Sequence, residues 1–130
     1  MVIDTSALVA IAFREGERRT FGRAILGADR RLMSAASAVE FVAVHAGRMR
    51  HDDPITVLDR LTGALRIETV PVDDAQWRAA AAALIRFGKG RHPARLNLGD
   101  SFAYALAKVT GEPLLFKGGD FALTDIASAI

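Results

Sequence analysis

The sequence predicts an α/β sandwich built on a short-stranded, mostly parallel sheet. Short buried runs at Val2-Ile3, Arg31-Leu32-Met33, Ile67–Val72 and Leu114-Leu115-Phe116 read as strands. The longer segments between them carry apolar residues at helical spacing. Strands and helices also alternate along the chain, the order that builds parallel sheets with helical crossovers.

Taken in order, Val2-Ile3 is a very short first strand. Thr5 or Ser6 then caps a helix through Ala7–Ala12. A charged helix spans Glu17–Ala28 with Phe21, Ile25 and Leu26 on one face. After the second strand, Ser34 or Ser37 caps a helix reaching Gly47 or beyond. Pro54 opens the next helix, with Val57, Leu58, Leu61 and Leu65 on one side. Asp73-Asp74 ends the third strand and starts a helix whose core face is Trp77, Ala81, Leu84 and Ile85; acids suit the positive end of a helix dipole. Gly88–Gly99 reads as a loop and Ser101–Thr110 as an apolar helix, with Gly111 as its C-cap. At 130 residues, with no repeat, linker or low-complexity tract, the expectation is a single domain over 1–130.

Composition excludes several classes. There is no cysteine, hence neither a disulfide framework nor a thiolate metal site. No apolar run approaches the roughly 18 residues that span a bilayer. Met1-Val2-Ile3-Asp4 lacks a basic leader region and meets a charge at once. A cytoplasmic protein without a membrane segment is expected. The net charge of +2 says little about partners.

Of the 15 acids, four stand out by their surroundings. Asp4 ends an apolar strand. Glu40 lies in a helix apolar almost all round, among Ala36, Val39, Phe41, Ala43 and Val44. Asp100 opens a helix of Phe, Ala, Tyr and Leu, and Asp120 follows the last strand and Gly118-Gly119. Carboxylates in apolar segments cost several kcal/mol unless compensated. Strand ends and helix starts are also where α/β sheets build sites. Brought together, the four would repel one another, and a divalent cation removes that repulsion. An all-oxygen site suits Mg²⁺ or Mn²⁺ and not zinc. Other roles stand beside this one: Asp4 or Asp100 as helix caps, Asp120 as a turn residue, Glu40 in a buried pair with an arginine.

Several ordered motifs carry a family resemblance along nearly the whole chain. They are Met1–Leu8, Met33-Ser34-Ala35-Ala36 leading to Glu40, Phe87–Pro93, Leu96–Asp100 with Tyr104–Ala107, and Leu114–Gly118 with Asp120-Phe121 and Thr124-Asp125. With these the chain resembles the VapC toxins of VapBC toxin–antitoxin systems, which are PIN-domain ribonucleases. The resemblance implies a three-layer α/β/α PIN fold, Mg²⁺-dependent endonucleolytic cleavage of RNA, a homodimer, and a VapB-type antitoxin partner. The family's catalytic, metal-binding acids fall on Asp4, Glu40, Asp100 and Asp120, with Asp125 as a further contributor. Asp4 and Asp100 would be direct ligands; Glu40 and Asp120 would complete the site. Ser101 stands where relatives often have cysteine, and Gly119 where they often have a polar or acidic residue.

Thr5, Ser6 and Thr124 either support the acids or phosphate, or only cap local structure. The stretch Arg86–Arg95 holds Arg86, Lys89, Arg91, His92 and Arg95 and no acid, and Lys89, Arg91 and Arg95, in the loop leading to Asp100, are expected to contact RNA phosphates. Arg18, Arg19 and Arg23 read as a solvated helix face, His45, His51 and His92 as surface or interface residues, and Trp77 as core. A non-cleaving PIN-like module binding RNA or a partner is the rival reading, disfavoured by the presence of all four acids. An Asp-based phosphotransfer enzyme wants a second acid near Asp4, and Ser6 occupies that place.

Overall fold

The structure, a computed structural model of the chain, describes residues 1–49 and 51–130. Strands β1 (Val2–Ile3), β2 (Leu32–Ser34), β3 (Glu68–Val70) and β4 (Leu114–Leu115) form one sheet in the order β3-β2-β1-β4. Every pairing is parallel, with Val2 opposite both Leu32 and Leu114. Helices α1 (Thr5–Ala12), α2 (Arg18–Gly27), α3 (Ala35–Arg48), α4 (Pro54–Leu65), α5 (Asp74–Phe87) and α6 (Leu98–Thr110) supply the crossovers. A 3₁₀ turn at Phe121–Leu123 follows β4.

Successive strand residues point to opposite faces, and here both faces are apolar. Ile3, Met33 and Leu115 join a core with Leu8, Phe21, Ile25, Phe41 and Leu58 from α1 to α4. Val2, Leu32 and Leu114 join the other, with Phe87, Leu96, Tyr104 and Leu106 from α5, α6 and the loop between them. The result is the expected three-layer α/β/α sandwich. The strand order runs outward from β1 in both directions, so the chain switches sides between β1 and β4. In open α/β sheets that switch point, at the carboxyl ends of the strands, is where sites form. Asp4 follows β1 there.

Several expectations need correcting. Asp4, not Thr5 or Ser6, caps α1, its carboxylate accepting the Ser6 N–H at 2.9 Å. Of the two serines offered for α3, Ser34 is the cap. Leu26 is exposed, because α2 buries only the narrow stripe of Phe21 and Ile25. On α5 the buried stripe is Gln76, Ala80, Ala83 and Phe87, rotated from the predicted one. Trp77 and Ile85 therefore face solvent; the Trp77 indole N–H donates to Asp74 at 2.9 Å and Arg78 lies over the ring. α3, apolar almost all round in sequence, leaves Val39 70% exposed. His45 is buried between Phe13 and Phe41, with ring centroids 5.2 and 5.8 Å away. α6 starts at Leu98, three residues early, because Asn97 caps it.

Candidate active site

Asp4 is almost fully buried, and its Oδ2 takes hydrogen bonds from the Ser6 backbone and hydroxyl. Its other oxygen, Oδ1, is buried with no hydrogen-bond partner among the described residues. A buried acceptor left unpaired is costly, and sites of this kind call for an explanation. Burial first, then the charge of Glu40, raises the Asp4 carboxyl above its ordinary range, against the Ser6 hydrogen bonds.

Glu40 comes from the middle of α3. The Thr5 hydroxyl lies 2.6 Å from its Oε2 and 3.1 Å from the Ser37 carbonyl oxygen. With one proton to give, the hydroxyl favours the closer, charged acceptor. The Glu40 carboxylate also fills the space beside Gly99 that any Cβ there would occupy. Gly99 therefore lets an acid on α3 reach the first turn of α6.

Asp100 stands in that turn. It completes a capping box: Asn97 accepts the Asp100 N–H at 2.9 Å, and the Asp100 carboxylate accepts the Asn97 N–H at 2.7 Å. Burial, followed by the charges of Asp4, Glu40 and Asp120, pushes Asp100 up to about 6, despite the Asn97 hydrogen bond. Asp120 is exposed beyond β4 and acts on Asp100 through its charge.

Asp4, Thr5, Ser6, Glu40, Asn97 and Asp100 line one open cavity of about 460 Å³. Among the described residues no group of three or more His, Asp or Glu side chains is close enough to form a ready-made metal cage. Asp4, Glu40 and Asp100 share this cavity without meeting at a point, each held by its own partner, Ser6, Thr5 or Asn97. The donor set still fits a hard divalent cation, because it is all oxygen and includes the unpaired Asp4 Oδ1.

Asp4 and Asp100 oppose folding when ionised. Asp100 ionises near 6 in the fold and near 3.8 in the unfolded chain, so its penalty is complete above pH 6 and vanishes below the unfolded value. Metal-free protein should therefore gain stability on acidification from pH 7.5 to 5, by about 1 kcal/mol after discounting for Asp100's partial exposure. Thermal unfolding at both pH values measures this. Added Mg²⁺ should raise the midpoint more at pH 7.5; equal midpoints throughout would contradict the electrostatic picture.

Asp120, Thr124 and Asp125 do not line this cavity. Asp125 accepts from the Tyr104 hydroxyl at 2.6 Å and from Lys108 and Arg86, each at 3.1 Å. Chiefly through Tyr104, then Lys108 and Arg86, its carboxyl is held down to about 2. It locks the C-terminal segment onto α5 and α6 and does not line the acidic cavity. Thr124 closes the 3₁₀ turn by donating to the Phe121 carbonyl at 2.7 Å.

Arg86 lies on α5 and pairs with Asp125, outside the basic loop that follows. Its Lys89, Arg91 and Arg95 are exposed, form no ion pair among the described residues, and rim a second concavity with His92 and Pro93. The charged cavity residues Glu15, Arg48 and Lys117 were not among the predicted site residues. Lys117 had a signal, as it sits within the motif running from Leu114 to Asp120; Arg48 had none.

The PIN domain family matches residues 1–127. Ribonuclease VapC42 of Mycobacterium tuberculosis is 45% identical over 130 residues, covering 99% of this chain and 98% of that protein. Ribonuclease VapC of Mycolicibacterium smegmatis is 47% identical over 128 residues, covering 98% of both. The chain belongs to the VapC ribonucleases, a family of PIN domains. Among solved structures, the VapC family fold recurs in M. tuberculosis VapC20, described as a sarcin–ricin-loop-cleaving toxin. That structure superposes with a TM-score of 0.76 at 16% identity, over 97% of this chain and 95% of the other. A toxin–antitoxin complex from Klebsiella pneumoniae gives 0.69 at 17% identity, over 99% and 97%. Among the described residues of this VapC-family chain, no helix is long and apolar enough to cross a membrane.

Proposed function

We propose that this chain is a Mg²⁺-dependent endoribonuclease, with Mn²⁺ as a substitute, and the toxin of a VapBC module. In this reading the whole of 1–130 is one PIN domain, acting in the cytoplasm as a homodimer restrained by a VapB-type antitoxin. The observation that carries the chemistry is the buried Asp4 Oδ1, without a hydrogen-bond partner among the described residues, on a residue that lines a cavity shared with Glu40 and Asp100. Asp4 and Asp100 would hold the cation, with Glu40 and Asp120 completing its surroundings. When bound, the ion supplies charge neutralisation at the phosphate and lowers the pKa of the attacking water.

The chain's own residues do the rest. Ser6 fixes one Asp4 oxygen and leaves the other without a partner among the described residues. Thr5 and Gly99 set the position of Glu40, and the Asn97 capping box sets that of Asp100. The exposed cations Lys89, Arg91 and Arg95 would contact RNA phosphates on the approach. Asn97, two residues beyond Arg95, already lines the acidic cavity.

Protein purified free of antitoxin should cut total RNA with Mg²⁺ or Mn²⁺ and stop when EDTA is added. Cleavage that persists in EDTA, or none with either ion, would overturn this reading. Expression alone should arrest growth, and co-expression of an adjacent antitoxin gene should restore it.

A further inference from the structure

An acidic cavity repels the polyanion it is meant to cut, so cations close to it matter more than the charge of the whole chain. Among the described residues, Arg48 and Lys117 are the cations lining the cavity. Both are bound to one carboxylate. Arg48, at the end of α3, reaches Glu15 Oε1 at 3.3 Å; Lys117, two residues past β4, reaches Glu15 Oε2 at 2.8 Å and Glu17 at 2.9 Å. Glu15 is brought there by the turn between α1 and α2. Arg14 takes a left-handed conformation, φ 55°, and the Glu15 N–H donates to the Ala10 carbonyl at 2.8 Å.

The placement of Lys117 relative to the acids is set by main chain. Its N–H donates to Ser6 Oγ at 2.9 Å, and that same hydroxyl donates to Asp4 Oδ2. A single hydroxyl thus ties the Lys117 backbone to the Asp4 carboxylate. Arg48 stands two turns beyond Glu40 on the same helix, so α3 carries both an acid and a cation to the cavity.

We propose that Arg48 and Lys117 form a phosphate-binding subsite for the RNA backbone at the rim of the acidic cavity, with Glu15 holding the pair in place until a phosphate replaces it. A carboxylate that meets one cation through each oxygen stands in for a phosphodiester, which offers two non-bridging oxygens to the same donors. The exchange is accessible: the Arg48, Lys117 and Glu15 side chains are 52%, 37% and 29% exposed. Ion pairs this open are weak in water and screened by salt, so a phosphate need not overcome a strong bond. Val9 and Val44 are the apolar residues of the same lining, so the cations and the acids supply its charge.

The subsite rests on the ribonuclease reading, and its test is kept separate from cleavage. Antitoxin-free protein is titrated against a fluorescein-labelled RNA oligonucleotide of mixed sequence in EDTA, across a range of KCl concentrations, with anisotropy as the readout. Lys117→Gln and Arg48→Gln should each raise Kd severalfold and flatten the dependence of log K on log[KCl] by about 0.7, the value for one phosphate contact on a single strand. Lys117→Arg should keep wild-type binding, and Glu15→Gln should tighten it by removing the competing carboxylate. Unchanged Kd and salt slope in both glutamine variants would overturn the subsite, as would weaker binding by Glu15→Gln. Wild-type cleavage with unchanged binding in the variants would sink the subsite alone. Weakened binding in the variants without any wild-type cleavage would sink the nuclease reading alone.

Discussion

Asp4→Asn or Asp100→Asn lowers RNA cleavage roughly 10³-fold and leaves the fold intact. The size follows from the several kcal/mol that a bound cation contributes to transition-state charge, at about 1.4 kcal/mol per tenfold. Survival of the fold follows from the local hydrogen bonds. Asparagine at position 4 still caps α1, since its amide oxygen can accept the Ser6 N–H that Asp4 Oδ2 accepts now. Asparagine at position 100 can likewise accept the Asn97 N–H. Burial penalises the ionised Asp100, so removing its charge should raise the melting temperature of metal-free protein. Loss of activity with equal or greater stability is the expected pair of results from initial rates and thermal unfolding. Cleavage near the wild-type rate in both variants would rule out the acids as the reactive centre.

Gly99→Ala lowers cleavage about 10–100-fold, the usual range for groups that orient ligands without being ligands. The new methyl would occupy the space of the Glu40 carboxylate and push it off the position Thr5 holds. Gly99 lies in the first turn of α6, where alanine gains about 0.5–1 kcal/mol from a less flexible unfolded chain and better helix propensity. Activity should therefore fall while the melting temperature does not. A variant with full activity would show that Glu40 need not sit against α6; one that loses both would point to a packing role for Gly99.

The parts of this architecture legible in the sequence were those decided over a few neighbouring residues. The short strands at Val2, Leu32 and Leu114 are apolar on both faces because helices cover both faces. Asp4 and Glu40 were conspicuous because their neighbours are apolar and local capping could not explain Glu40. The errors arose where packing direction decides. Trp77 and Ala80 are three residues apart on α5, and only the angle at which α5 meets α6 determines which is buried. His45 is buried through Phe13, which lies 32 positions away in sequence. Asp125 follows a family motif, yet the chain's turn after Phe121 delivers it to Tyr104 and Lys108. The Glu15–Arg48–Lys117 cluster joins three elements far apart in the chain, so no spacing could announce it.

The family resemblance named four acids; the structure distinguishes their circumstances. Asp4 is buried with one oxygen unpaired among the described residues, Glu40 is steered by Thr5 and Gly99, Asp100 is held in a capping box, and Asp120 is exposed. That ordering makes Asp4 the centre of the proposed site. Anomalous diffraction from crystals soaked in Mn²⁺, at a concentration that supports cleavage, tests it most directly. The expected result is a Mn²⁺ peak in contact with Asp4 Oδ1 and with Asp100. No peak at Asp4, or a peak only at other carboxylates, would contradict the account.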